Sequence, residues 1–281
     1  PTPPQQNPLT GYFRKPEIYI SLPSKGQYYP PGAIDLPPNG EIGIFPMTAK
    51  DELLFKTPDA LLNGSSTVEV IQSCVPAIKN AWAMPSLDLD VVLIAIRLAT
   101  YGNQMDISTT CPECSSPNEY GVDLGNLIAQ SSSFVFEPTT TLNDLEFEFK
   151  PLTFKELNVE NLRQFEEQKI LRIVNDDSTN DEQKQELFSD AFIKLTMHTV
   201  DLIAKTICKI TTPDGTVVED PTFIAQFVQN ADRSLFKGVQ DYLDVQRVKN
   251  SFAEFELECE NKECKHKYKT PIVFDLSLIH I

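Results

Sequence analysis

Two short cysteine pairs carry the clearest chemical signal in this sequence of 281 residues, Cys111-x2-Cys114 and Cys259-x4-Cys264. Tetrahedral zinc takes four thiolates, and a tight turn between two strands lets both sulfurs of one pair face the same ion. Pro112 stiffens the first turn, while Asn261 and Lys262 suit the wider second loop. The pairs lie 144 residues apart (259 − 114 − 1), so one ion held by all four would join distant parts of the chain. Such a site would be closed and structural, with no open position for a substrate. Other chemistries compete for the same thiols. Two disulfides would need an oxidising compartment, and no charged-then-apolar export signal opens the sequence. A thioredoxin-like redox pair needs a strand-to-helix setting, whereas strands are expected on both sides of Cys111. Unmetallated structural thiols are a third reading. His266, two residues beyond Cys264, could replace one sulfur, but Lys265-His266-Lys267 reads as exposed. Cys74 and Cys208 fall in apolar stretches expected to be helical, and read as small buried hydrophobes.

Beyond the cysteines, signatures of catalysis are missing. The sequence has no glycine-rich phosphate loop, no Gly-x-Ser-x-Gly elbow and no His-Glu-x-x-His. Glu166-Glu167 and Asp176-Asp177 sit in polar stretches, not between the apolar walls a general-acid pair needs. The expectation is that the chain is not an enzyme. With 24 Lys+Arg against 40 Asp+Glu, its formal charge of −16 would repel phosphates, which argues against nucleic acid as the main partner. Lys262, Lys265, Lys267 and Lys269 form one local exception beside the second pair. The longest aliphatic run, Val91 to Ile96, is six residues where a membrane helix needs about 20, so no membrane span is expected.

The elements that must position the cysteines follow from periodicity. Glu41 to Phe45 alternates as a strand, Thr48 is a suitable N-cap, and a helix begins at Ala49. Helices follow near Thr67 to Ala83 and Leu87 to Thr100. Strand residues then lead into Cys111 and out through Glu119 to Leu124. A similar programme recurs. Leu145 to Phe149 alternates, Pro151-Leu152-Thr153 precedes a helix at Lys155, and a helix is expected from about Asp181 to Ile210 with Cys208 matching Cys74. Strands at Phe255–Leu257 and Ile272–Leu276 would flank the second pair. The fold class is therefore α+β, as two tandem related modules, 40–130 and 131–281, each a strand, helices and a zinc knuckle between strands. Extra segments in the second copy would lie between Phe165 and Gln185 and between Thr212 and Tyr242, with an acidic surface at Glu166 to Glu186. Of 21 prolines, 11 lie at or before Pro46, and residues 1–39 read as an extended Pro-rich N-terminal arm. Tyr19, Tyr28 and Tyr29 would give that arm contact area for a partner protein.

Three landmarks then coincide: Ser21-Leu22-Pro23-Ser24-Lys25-Gly26 with Tyr28-Tyr29-Pro30; the strand and Pro46 to Glu52; and Ala95 to Gly102 before Cys111-Pro112-Glu113-Cys114. Together they resemble the baseplate protein family of T-even-type contractile-tailed bacteriophages, whose members are described as baseplate hub subunits. The resemblance covers about residues 20 to 125 well and the second copy more loosely. It implies a structural subunit of the tail baseplate in its hub region, located in the virion and assembled in the host bacterial cytoplasm. Implied partners are other baseplate, tail-tube or tape-measure proteins, and further copies of the chain in a symmetric assembly. A non-virion assembly factor or chaperone is the rival reading, and a zinc-ribbon nucleic-acid module the third.

Overall fold

Ile18, Ile20, Ile42 and Ile44 alternate with polar or small neighbours, and they set the first sheet. In a computed structural model, which describes residues 8–54, 64–163, 189, 194 and 197–270, β1 (Ile18–Ser21) pairs antiparallel with β2 (Glu41–Ile44), Ile20 opposite Ile42. Ile20, Leu22, Ala33, Ile42 and Ile44 are all buried. Residues 18–39, expected as an extended arm, carry β1 and pack onto this core through Ile20, Leu22, Tyr29 and Ile34. The reason is physical: Ile42 and Ile44 need a pairing strand, and Ile18-Tyr19-Ile20 supplies one with the right alternation. Residues 1–7 lie outside the described residues.

Helices α1 (Ala49–Leu54), α2 (Ser65–Cys74) and α3 (Ser86–Tyr101) follow. All six residues from Val91 to Ile96 are buried, so the middle of α3 is apolar on every side and sits in the interior as such a stretch must. The hairpin of β3 (Gln104–Thr110) and β4 (Pro117–Asp123) then packs with α4 (Leu124–Ser131). Ile94, Met105, Ile107, Val122, Leu124 and Leu127 form their shared core.

The second half is built on a four-stranded sheet in the order β5-β6-β7-β8, from Thr139–Leu142, Leu145–Phe149, Ile207–Thr211 and Val217–Val218. Between β6 and β7, helix α5 is described over 154–163 and α6 over 197–206. Helices α7 (Pro221–Gln229) and α8 (Arg233–Lys249) cover the sheet, burying Phe147, Phe149, Ile210, Ile224, Leu235 and Val239 together. The hairpin β9 (Phe255–Glu258) and β10 (Lys267–Thr270) completes the described chain. Cys208 lies in strand β7, half-buried, and not in a helix. Ile207-Cys208-Lys209-Ile210 has strand alternation, and Ile210 pairs with Phe147. Cys208 is therefore no counterpart of Cys74, which ends α2 fully buried. The acidic stretch at Glu166 to Glu186 and the strand expected at Ile272–Leu276 lie outside the described residues.

One local device occurs twice. The Thr48 hydroxyl accepts from the Asp51 amide at 3.2 Å while the Asp51 carboxylate accepts from the Thr48 amide at 2.8 Å. Thr153 and Glu156 repeat this reciprocal cap at 3.3 and 2.8 Å. The second box is also the joint between the halves. The Ser86 amide donates to Leu152 O at 2.7 Å and the Phe154 amide to Met84 O at 2.8 Å. Phe154 stacks on Trp82 with ring centroids 5.4 Å apart and is buried in the first core.

Candidate metal centre

The two hairpins end alike. The β3–β4 ladder closes at Thr110 opposite Pro117, and the Cys111 amide then donates to Ser116 O at 2.9 Å. The β9–β10 ladder closes at Glu258 opposite Lys267, and the Cys259 amide donates to His266 O, also at 2.9 Å. Each first cysteine thus stands one residue past a strand end. Ser115 and Lys265 directly follow the second cysteines, and both have left-handed backbone, with φ of 57° and 48°. That conformation costs an L residue about 1 kcal/mol, and here it turns the chain so that both sulfurs of a pair face inward.

The hairpins meet sulfur to sulfur. Cys114 Sγ lies 3.6 Å from Cys259 Sγ, and Cys111 Sγ lies 3.9 Å from Cys264 Sγ. All four atoms fall within 4.8 Å of one another. A Zn–S bond of about 2.3 Å gives a tetrahedron edge of about 3.8 Å, so the two cross-pairs match the edges that zinc would set. A disulfide would need about 2.05 Å, and all six cysteines are free thiols. The donor set of four sulfurs suits a soft, tetrahedral cation. His266 is not among the clustered groups; its ring stacks on Tyr268, with centroids 6.4 Å apart.

The thiols are not equivalent. Hydrogen bonding to Ser116 holds the Cys114 thiol down to about 6. At Cys264 the His266 amide pulls downward, but desolvation and the neighbouring Cys114 and Cys111 sulfurs outweigh it and push the thiol up to about 12. Desolvation likewise raises Cys259. Crowded sulfurs resist joint ionisation, and a bound divalent cation would reverse that balance.

Around the sulfurs runs a polar seam that sequence reasoning missed. Tyr120 donates to Glu258 O at 2.8 Å, and the Thr109 and Tyr268 hydroxyls are 2.6 Å apart. Asn118, 1% exposed, accepts from the Glu260 amide at 2.8 Å. A signal for it existed: Asn118 and Tyr268 each lie four residues after the second cysteine of a pair (118 − 114 and 268 − 264).

The other singled-out residues separate. Tyr29 donates its hydroxyl to the buried Asp88 at 3.0 Å and packs against the first core. Tyr28 sets its ring edge-on to Phe136, with centroids 5.8 Å apart. Both are engaged within the chain and half-buried, whereas Tyr19 is 63% exposed. Of the lysine patch, Lys267 pairs with Glu258 and Lys269 with Glu256 across the hairpin. Among the described residues, no helix is long and apolar enough to cross a membrane.

Comparison with known proteins agrees with the resemblance read from the landmarks. The family model described as T4 bacteriophage base plate protein matches residues 15–279. No curated protein matches the chain, and no solved structure does. The matched span takes in both hairpins and all four clustered cysteines, and on that breadth the chain belongs to the T4 bacteriophage base plate protein family.

Proposed function

We propose that this chain is a structural subunit of the phage tail baseplate, in its hub region, clasped by one zinc ion on Cys111, Cys114, Cys259 and Cys264. The observation that carries the metal is the approach of four sulfurs from cysteine pairs 144 residues apart, two cross-pairs lying at the edge length of a zinc tetrathiolate. The family match supports the baseplate setting. The ion serves stability and not catalysis, because four protein thiolates fill its sphere. The chain is two tandem modules that arose by duplication; a two-cysteine knuckle and a reciprocal capping box in each half support this. Partners are other baseplate, tail-tube or tape-measure proteins, with Tyr19 among the exposed contacts of the described N-terminal segment. The site of action is the virion tail, after assembly in the host cytoplasm.

Two measurements test this. Elemental analysis of the purified chain gives one zinc per chain, and none in Cys259→Ser; a metal-free wild type with full thermal stability refutes the clasp. Quantitative proteomics of purified virions finds the chain in stoichiometric copies; absence from particles refutes the subunit and leaves the assembly factor.

A further inference from the structure

Four sulfurs from two hairpins can bind an ion well only if the hairpins are already held in register. Something other than the sulfurs therefore has to align them. The seam beside the cluster contains one buried polar side chain that touches both knuckles. The Asn118 carboxamide donates to Ser116 O at 3.1 Å, inside the first knuckle's turn. It accepts at 2.8 Å from the amide of Glu260, the residue directly after Cys259. Its remaining N–H reaches the Tyr268 hydroxyl at 3.3 Å.

The contact pattern is that of a two-fold. Exchanging the hairpins sends Cys111 to Cys259 and Cys114 to Cys264, and it turns each observed sulfur cross-pair into the other. Asn118 and Tyr268 occupy equivalent places, four residues after each second cysteine, and they meet each other. Equivalent residues in mutual contact place Asn118 at the middle of the joint between the two knuckles. Asn118 is thus placed to fix rotation and spacing of the two knuckles together.

Resting on the zinc reading above, we propose that Asn118 is the positioning residue of the metal centre, which sets its affinity by pre-aligning the knuckles before the ion arrives. It touches no metal. Residues bonded behind metal ligands commonly alter affinity by about 10–100-fold when removed, and Asn118 is expected in that range. Tyr268 acts with it, because its hydroxyl ties Thr109 and Asn118 into the same seam.

The test uses the full chain, stripped with a chelator and titrated with zinc against a competing chromophoric chelator. Asn118→Ala should bind one zinc about 10–100-fold more weakly than wild type. The cobalt(II)-loaded spectrum at saturation should be that of four thiolates in both. In the metal-free proteins, the Glu260 amide should exchange with solvent at least about tenfold more slowly in wild type than in Asn118→Ala. A merely structural role would lower the melting temperature of loaded and stripped protein alike and leave affinity unchanged. Equal affinities, or an unprotected Glu260 amide in stripped wild type, overturn the proposal while leaving the zinc clasp standing. A wild type that binds no zinc removes both. If Asn118→Ala does not fold, Tyr268→Phe carries the same comparison, with a smaller loss expected.

Discussion

Arg14→Ala probes the two capping boxes against each other, because among the described residues only the first is reinforced by a cation. Asp51, 3% exposed, accepts from the Thr48 amide and hydroxyl at 2.8 Å each, from Ser73 Oγ at 3.0 Å, and from Arg14 Nη1 at 3.4 Å. Arg14 Nη2 also donates to Ser73 O and Oγ, both at 2.7 Å, and Nη1 to Pro46 O at 2.5 Å. Truncation leaves a buried carboxylate with neutral donors only and strands two backbone carbonyls. Breaking a buried pair costs about 3–5 kcal/mol. Arg14 is 27% exposed and its ion-pair distance is long, so water recovers part, and about 3 kcal/mol is the reasoned figure. With an unfolding entropy of about 2.1 cal/mol/K per residue, that lowers the melting temperature by about 5 °C. Thr153→Ala loses only a cap, about 1 kcal/mol, and should shift the midpoint by about 2 °C. Thermal unfolding followed by intrinsic fluorescence measures both. An Arg14→Ala midpoint no lower than that of Thr153→Ala would refute the claim that the guanidinium neutralises Asp51.

Three further outcomes are expected. Cys111→Ser should lose zinc, and at free zinc a hundredfold above the wild-type Kd it should unfold with about 2.7 kcal/mol less stability, an excess that vanishes when wild type is stripped. Asp88 is fully buried; desolvation raises its carboxyl to about 6, against the downward pull of its bonds from Ser24 and Tyr29. Its folded value lies above the unfolded one, so its contribution is most favourable below about pH 4 and is lost as pH rises through about 6, by about 3 kcal/mol in all. The stability difference between wild type and Asp88→Asn should therefore change by about 2 kcal/mol between pH 4 and 7 in urea titrations, the rest of the linkage lying below pH 4, and a constant difference would refute the shift. Phe147→Ala, at the centre of the second core, should cost about 3–5 kcal/mol by the same assay; a loss below 1 kcal/mol would show that the site collapses or is loosely packed.

The legible part of the molecule was whatever depends on local spacing. Cysteine pairs at turns, the Thr48 cap and the buried α3 all follow from a few consecutive residues. Residues 18–39 misled because proline marks fixed φ but not solvent exposure; Ser24 and Tyr29 fold onto Asp88, 64 and 59 residues away, and no window contains both ends. Cys208 misled because Ile207 to Thr211 continues an apolar helical pattern directly into a strand, and only pairing with β6 decides the switch. Asn118 escaped notice for the opposite reason. It is a single polar residue in an exposed-looking strand, and its burial arises only when the second hairpin arrives.

The proposed clasp would matter unequally to the two hairpins it joins. A two-stranded hairpin alone is marginal in water and needs a packed face. The first hairpin has one, since Met105, Ile107 and Val122 are buried against Ile94, Leu124 and Leu127. From the second hairpin, Phe255 alone joins that core, as a partly buried residue, and Leu257 and Tyr268 are only half-covered. What fastens it is the polar seam and the four sulfurs. Cross-strand pairs such as Lys269 with Glu256 are exposed and contribute little. Stripping the metal should therefore speed amide exchange in β9 and β10 far more than in β3 and β4. Equal acceleration in both hairpins would mean that the ion supports the whole fold evenly, and that the apolar face behind β3–β4 is not what holds the first knuckle in place.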